Sequence, residues 1–571
     1  MRTLTGMRVR RTFLAALALA LLAAVTVSGA DAARGDDQLS KINHIVVIYE
    51  ENHSFDNLYG GWEGVNGLAN ADVAHTTQVD QSGAPYSCLL QLDVNLTVPP
   101  LAKACDGTTP KGVAFSSHFL NTWFKIGDFI PPDATTCPKP KDSFAFTNGI
   151  FNGSGVGIAG GCTRDLVHKF YQEQYQLNGG AQNRYATGSD SAGTVMGVYD
   201  TRSLPIYRYL HENGHPHYAI ADDFFQAAFG GSFLNHQWLI AARTPFDPNA
   251  PAAQHSLIDS AGFPRNNYPL YNPVAGVTYR DGDFTVPCPS PKAGLACGNW
   301  AVNTMQPTNE PFGSFGDKLV TQSHTTIGDE LSAAGISWGW YAGGWDNAAG
   351  NTTGPGWTNG PGPTCSDPNH DTNVAYHYPK CPDFAFQFHH QPFSYFANYA
   401  PGTSGRTHLR DEVAFENAAS SSASQCNLDA VSFIKPIGEE NEHPGYASEH
   451  NGSTHLIELL QLIRNSACAK DTMVVVTYDE FGGQWDHVPP PGQGNNNGPH
   501  DQWGPGTRIP ALIVSPFLRG NFAVDHTQYD TTSILAMIEE RYGLKPLGSR
   551  DAAVNSLSDV FAAKQYEAAQ P

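Results

Sequence analysis

The chain has 571 residues, 40% of them hydrophobic, with 33 basic residues against 54 acidic ones. That length allows one large core with insertions or two domains, and the acidic balance excludes DNA or RNA as an extended partner, because releasing counterions from a phosphate backbone takes lysines and arginines. Ten cysteines, an even number with no CxxC or zinc-finger spacing, point to disulfides that staple loops of an exported chain.

At the start of the chain Arg2, Arg8, Arg10 and Arg11 precede an apolar stretch from Phe13 to about Val27, then Ala30-Asp31-Ala32. This reads as a signal peptide over residues 1–32: the apolar stretch is too short for a membrane span and a cleavage-like site follows it. Arg10-Arg11-Thr12-Phe13-Leu14 fits a twin-arginine leader, with an ordinary Sec leader as the alternative. Cleavage leaves 29 basic and 53 acidic residues, a net charge of about −24. No later window is apolar enough to anchor the mature chain in a bilayer, so a periplasmic or secreted protein is expected. A small anionic substrate would then need a local positive site, which a metal ion and histidines can supply.

Ile45-Val46-Val47-Ile48-Tyr49 has the composition of a buried strand, and it runs straight into Glu50-Glu51-Asn52-His53-Ser54-Phe55-Asp56. Further along, a helical pattern at 207–210 ends at Asn213-Gly214, and 218–221 reads as a strand. Residues 326–334 read as a helix stopped by Gly335, 336–341 and 431–434 as strands, and Ser453 as the cap of an amphipathic helix through Ile463. Met473-Val474-Val475-Val476-Thr477-Tyr478 repeats the opening design and ends in Asp479-Glu480. An apolar strand at 509–514, interrupted early by Pro510, and a helix at 532–542 closed by Gly543 complete the series. The alternation predicts an α/β sheet flanked by helices, a single catalytic domain over 40–560. Gly/Pro/Cys-rich stretches near 74–165, 245–320 and 345–425 read as insertions around the mouth of a site, with Cys288–Cys297 and Cys365–Cys381 as disulfide pairs by proximity. If the strands before Glu51-Asn52 and Asp479-Glu480 share one sheet, four oxygen-bearing side chains converge at its carboxyl edge.

Between these acids, Phe229-Gly230-Gly231-Ser232-Phe233-Leu234-Asn235 is a glycine turn opening into a helix with serine at its N-terminus. There a hydroxyl faces unpaired N–H groups, which suits a nucleophile or a plain N-cap alike. No G-x-S-x-G elbow is present. His211-Glu212-Asn213-Gly214-His215 matches the zinc-protease pattern, but that chemistry needs a continuous helix, and Gly214 and Pro216 forbid one.

Glu51-Asn52-His53-Ser54-Phe55-Asp56, the Gly-Gly-Ser232 turn, Glu442-His443-Pro444 and the block from Tyr478 through Asp479-Glu480-Phe481-Gly482-Gly483 to Pro490 together resemble the bacterial phosphoesterase family of acid phosphatases and phospholipases C. The resemblance implies an alkaline-phosphatase-like fold, with a central, mostly parallel sheet, flanking helices and long disulfide-stapled insertions. It implies one divalent metal ion held by Glu51, Asn52, Asp479, Glu480 and Ser232, with Ser232 as nucleophile; an all-oxygen set suits calcium, magnesium or manganese. It also implies His390 and His443 as catalytic acids or bases, and His168, His389, Asn235 and His487 as phosphate-binding residues. Protonated histidines would hold the phosphate and give an acidic pH optimum. The chain stops soon after Tyr542, which tilts the expectation toward an acid phosphatase acting through a phosphoserine, with a phospholipase C that cleaves headgroups such as that of phosphatidylcholine as the alternative. A sulfatase is disfavoured because Phe233-Leu234-Asn235 follows Ser232. A non-catalytic secreted calcium-binding protein would need no nucleophile beside its ion. Trp338, Trp340, Tyr341, Phe393 and Tyr395 belong either to the core or to a choline or lipid pocket.

Overall fold

The computed structural model describes residues 37–90, 103–108, 112, 114–128, 165–189, 192–248, 298–313, 317–351, 386–438, 440–445, 447 and 449–567. The leader, the cysteines paired above by proximity and most of the three expected insertions lie outside these residues.

Among the described residues eight strands form one sheet: β1 (His44–Glu50), β2 (Tyr218–Ala221), β3 (Trp338–Ala342), β4 (Leu409–Asp411), β5 (Val431–Lys435), β6 (Thr472–Tyr478), β7 (Ala511–Val514) and β8 (Phe522–Asp525). Their spatial order is β8-β2-β7-β6-β1-β5-β3-β4. Only β7 runs antiparallel to its neighbours. The central strands are buried along nearly their whole length, as the unbroken β-branched runs require of strands covered on both faces. β1 and β6 pair in parallel with Glu50 opposite Tyr478, so Glu51 and Asp479 leave the sheet side by side. β7 starts two residues later than the apolar pattern implied, because Pro510 has no N–H to give the ladder; its carbonyl instead accepts the Thr477 hydroxyl at 2.8 Å.

Seven helices matter for the site: α1 (Phe170–Leu177), α2 (Pro205–Leu210), α3 (Ser232–Ala241), α4 (Ile327–Ala333), α5 (Glu412–Ser420), α6 (Glu449–Arg464) and α7 (Thr532–Tyr542). α4 carries a full capping box from Thr326 and Asp329, and Gly543 closes α7 in the left-handed conformation. Side chains alternate along β1. The Tyr49 ring meets His236 on α3, whereas the Glu50 carboxylate lies among groups brought by α5, α6 and the loop after β5.

The structure corrects two expectations. Ser453 does not begin a helix: α6 starts at Glu449, and Ser453 Oγ accepts the Ile206 N–H at 3.0 Å, capping α2 from a neighbouring element. β4 and α5 belong to the main sheet and its cover, although they fall inside the stretch expected as an insertion; a three-residue edge strand leaves too little apolar pattern to read. Trp338, Trp340, Phe393 and Tyr395 are fully buried and Tyr341 nearly so, which makes them core. The described disulfides are Cys88–Cys105 and Cys426–Cys468. No helix among the described residues is long and apolar enough to cross a membrane.

Candidate active site

Ser232 opens α3, yet it caps nothing: Gly231 holds the N-cap position, and no side chain caps the helix there. The Ser232 hydroxyl instead faces the carboxyl edge of β1, with Oγ 3.0 Å from Glu51 Oε2 and 3.3 Å from Asn52 Oδ1. This geometry departs from the plain N-cap reading. Asn52 has φ +64°, and its N–H donates to Asp479 Oδ1 at 3.0 Å, which ties the ends of β1 and β6 together. Gly482 (φ +61°) lies against this bend; a Cβ there would come within 2.1 Å of the Asn52 carbonyl oxygen.

The turn before Ser232 is braced from beneath. Glu173 on α1 accepts the Gly230 N–H at 2.5 Å and the Thr507 N–H at 2.6 Å. Asn235, expected on the phosphate, spends its side chain on this turn: its carbonyl accepts the Ala228 N–H at 3.0 Å, and its amide donates to the carbonyls of Ala228, Gly230 and Gly231. It shapes the turn rather than pointing at a ligand.

The buried oxygens are those a cation would need. Asp479 Oδ2 and Glu480 Oε1 are buried with no hydrogen-bond donor. Both carboxyls are pushed well above the usual range, first by burial and then by neighbouring acids, Glu51 beside Asp479 and Asp479 beside Glu480. His236 Nδ1 donates to the Ser232 carbonyl at 2.8 Å, so its Nε2 is a lone pair in the neutral ring; that atom has no donor and lies 3.8 Å from Glu51 Oε1. His168 Nδ1 likewise donates to the Leu166 carbonyl at 2.6 Å, which turns the Nε2 lone pair toward Glu480 Oε1 at 3.5 Å. Acceptors facing acceptors in a buried site fit a divalent cation, and Glu51, Asn52, Asp479, Glu480 and Ser232 offer it oxygens.

His390 Nε2 lies 3.3 Å from Glu51 Oε1, and its ring stacks on His236 with centroids 4.9 Å apart. His389, half-buried, sits edge-on to His390 at 4.4 Å. His443 Nε2 is 2.9 Å from Asn52 Nδ2, and its Nδ1 donates to the Pro444 carbonyl at 2.6 Å; the ring is therefore neutral and orients Asn52. The expectation of protonated histidines fails in the free chain. Burial lowers His390 and His236 far below the ordinary histidine range, holds His389 and His443 at about 3, and lowers His168 as well.

His487 lies outside this group. It bonds Asp56 Oδ2 at 2.5 Å and faces Asn66, within a buried network of Asp56, Asp486 and Arg508. Following Asp479-Glu480 in sequence did not bring it to the metal ligands, because the Gly482-Gly483 turn redirects the chain. The zinc-protease pattern also dissolves: α2 ends at Leu210, and His211 and His215 donate to the Tyr207 and Pro216 carbonyls.

Two residues escaped the sequence reading. Lys435, 1% exposed at the end of β5, places Nζ 2.7 Å from Glu51 Oε1 and 2.9 Å from the Tyr49 carbonyl. A lysine ending an otherwise apolar strand was its signal. His236 stands four residues after Ser232, one helical turn along the same face, and that spacing was legible.

A family model described as "Phosphoesterase family" matches residues 42–545. "Phospholipase C B" of Mycobacterium tuberculosis is 23% identical over 555 residues, covering 92% of this chain and 78% of that protein. "Phospholipase C A" of the same organism is 24% identical with the same coverage. "Non-specific phospholipase C6" of Arabidopsis thaliana is 30% identical over 146 residues, 22% of this chain and 28% of that one. Among solved structures, a protein of the alkaline phosphatase superfamily from Vibrio parahaemolyticus aligns at 11% identity and TM-score 0.26, covering 63% of this chain and 65% of the other, a likeness too slight to carry weight.

Proposed function

Because the chain belongs to the Phosphoesterase family, and so is a hydrolase of phosphoric ester bonds, we propose that it is a phospholipase C in which Ser232 attacks the phosphorus of a phospholipid headgroup. The observation that carries the site is the Ser232 hydroxyl 3.0 Å from Glu51 Oε2, on a helix N-terminus, beside carboxylate oxygens with no donor. The substrate class rests on the relatives that span 92% of the chain and are named phospholipases C, and it replaces the acid-phosphatase tilt drawn from where the chain stops.

A divalent cation bound by Glu51, Asn52, Asp479, Glu480 and Ser232 would favour the serine alkoxide and offset charge on the phosphate. Glu51 links nucleophile to acid: Oε2 accepts the Ser232 hydroxyl, and Oε1 faces His390 Nε2 at 3.3 Å. The serine proton passes to this carboxylate–imidazole pair as the Oγ–P bond forms, and His390 protonates the diacylglycerol oxygen as its bond to phosphorus breaks. Water then attacks phosphorus, His390 takes its proton, and the Oγ–P bond breaks as that proton returns through Glu51 to Ser232 Oγ, which releases the phosphorylated headgroup. His443 holds Asn52 in place, while His168 and His389 border the phosphate. Two disulfides are at home in an oxidising compartment, consistent with export.

The test is a brief exposure to phosphatidylcholine, followed by acid quench and mass spectrometry of the Ser232 peptide. Phosphocholine on Ser232 with diacylglycerol release is expected. A peptide modified only by aryl monoesters, with phosphatidylcholine untouched, would return the chain to the acid-phosphatase reading; an unmodified peptide during turnover would remove Ser232 as nucleophile.

A further inference from the structure

Behind Glu51, on the opposite face of the sheet, lies a second buried group of acids that the phosphoester chemistry does not use. Glu50 ends β1, Glu412 begins α5, Glu440 and Glu442 sit on the loop after β5, and His455 lies on α6. Glu50 and Glu412 are fully buried, Glu442 is 2% exposed and His455 7%. His455 Nε2 is 2.9 Å from Glu412 Oε1 and 3.7 Å from Glu440 Oε2, and ligand atoms of these three residues lie within 4.8 Å of one another.

Independent of that clustering, the Glu50 carboxylate is fully buried near Glu442, Lys435, His455 and Glu412, and neither of its oxygens has a hydrogen-bond donor. Glu412 Oε2 and Glu442 Oε1 are also without one. Lys435 is close, but its ammonium is committed to Glu51 and the Tyr49 carbonyl. Glycines clear room for the acids: a Cβ on Gly343 would meet Glu412 Oε2 at 2.9 Å, and one on Gly452 would meet Glu442 Cγ at 2.3 Å. Desolvating several carboxylates together without a cation is costly, and one imidazole among carboxylate oxygens is a donor set for a borderline cation.

We propose that Glu412, Glu440 and His455, with Glu50 beside them, bind a second divalent cation of the zinc class, separate from the cation cradle at Ser232. Its task is structural. By holding Glu50 it fixes the end of β1, and with it the adjacent Glu51.

The test counts ions on the full chain after zinc loading and dialysis, by elemental mass spectrometry, with circular dichroism to verify folding. Wild-type protein should hold at least one zinc ion per chain, His455→Asn one fewer than wild type, and Asp479→Asn/Glu480→Gln one ion that survives dialysis. X-ray absorption on this last variant should show a single imidazole among oxygen ligands, a readout that does not depend on His455→Asn folding. Equal zinc in wild-type and folded His455→Asn protein overturns the proposal; so does an Asp479→Asn/Glu480→Gln protein with no bound ion or with a shell of two imidazoles. Neither result bears on whether Ser232 is the nucleophile.

Discussion

The Lys435 ammonium sits 2.7 Å from Glu51 Oε1, with both side chains buried at the carboxyl edge of the sheet. The contact engages one carboxylate oxygen and leaves Glu51 Oε2 facing the Ser232 hydroxyl. Lys435 is therefore a positioning residue for a proposed metal ligand. Lys435→Met keeps the stem and removes the charge. Supporting partners of metal ligands are typically worth a factor of about 10–100, so metal affinity measured by calorimetry and kcat/KM should both fall by about that much. Wild-type values for both would rule the role out.

Ser232→Ala should remove turnover by several orders of magnitude while leaving the melting temperature nearly unchanged. Ser232 provides no cap to α3, so its hydroxyl can go without exposing the helix end. Substantial residual activity in a folded variant, measured against both phosphatidylcholine and an aryl phosphate, would refute covalent catalysis at this position.

Gly230 has φ +93°, and a Cβ there would lie 2.7 Å from the Phe170 backbone nitrogen. Gly230→Ala should thus cost about 2 kcal/mol or more, since left-handed strain and a backbone clash add. It should also displace Ser232, two residues on, and lower kcat more than it raises KM. Denaturant unfolding and steady-state kinetics check both parts; a variant as stable as wild type would show that the turn can relax.

The strand ends and the serine turn were legible because their chemistry is local: unbroken β-branched runs stop at Glu51-Asn52 and Asp479-Glu480, and glycines precede Ser232. Lys435 was hidden because its partner is 384 positions away and only the β1–β5 pairing brings them together. Asn235 and His487 were misplaced for the opposite reason. Each is close in sequence to a site residue, but backbone hydrogen bonds in one case and a glycine turn in the other direct it elsewhere. The charge state of the histidines was likewise invisible, since it follows from burial that only the packed fold creates.

The neutral histidines make a pH prediction with a definite sign. Burial holds His443 at about 3, below its unfolded value of about 6.5, so between those limits the unfolded chain binds the extra proton. The stability His443 contributes is present above about pH 6.5 and is lost as pH falls toward 3. Each such proton adds a slope of about 1.4 kcal/mol per pH unit within that window. Buried carboxyls raised by their surroundings, such as Asp486 at about 6, act in the opposite direction, so the total slope does not isolate one residue. The difference between wild type and His443→Gln does, because the glutamine cannot titrate and its carbonyl can still accept from the Asn52 amide. Urea unfolding at intervals from pH 7 to pH 4 should show wild type losing stability relative to His443→Gln as the pH drops. Parallel curves across that range would mean that His443 takes up its proton at the same pH in the folded protein as in the unfolded chain.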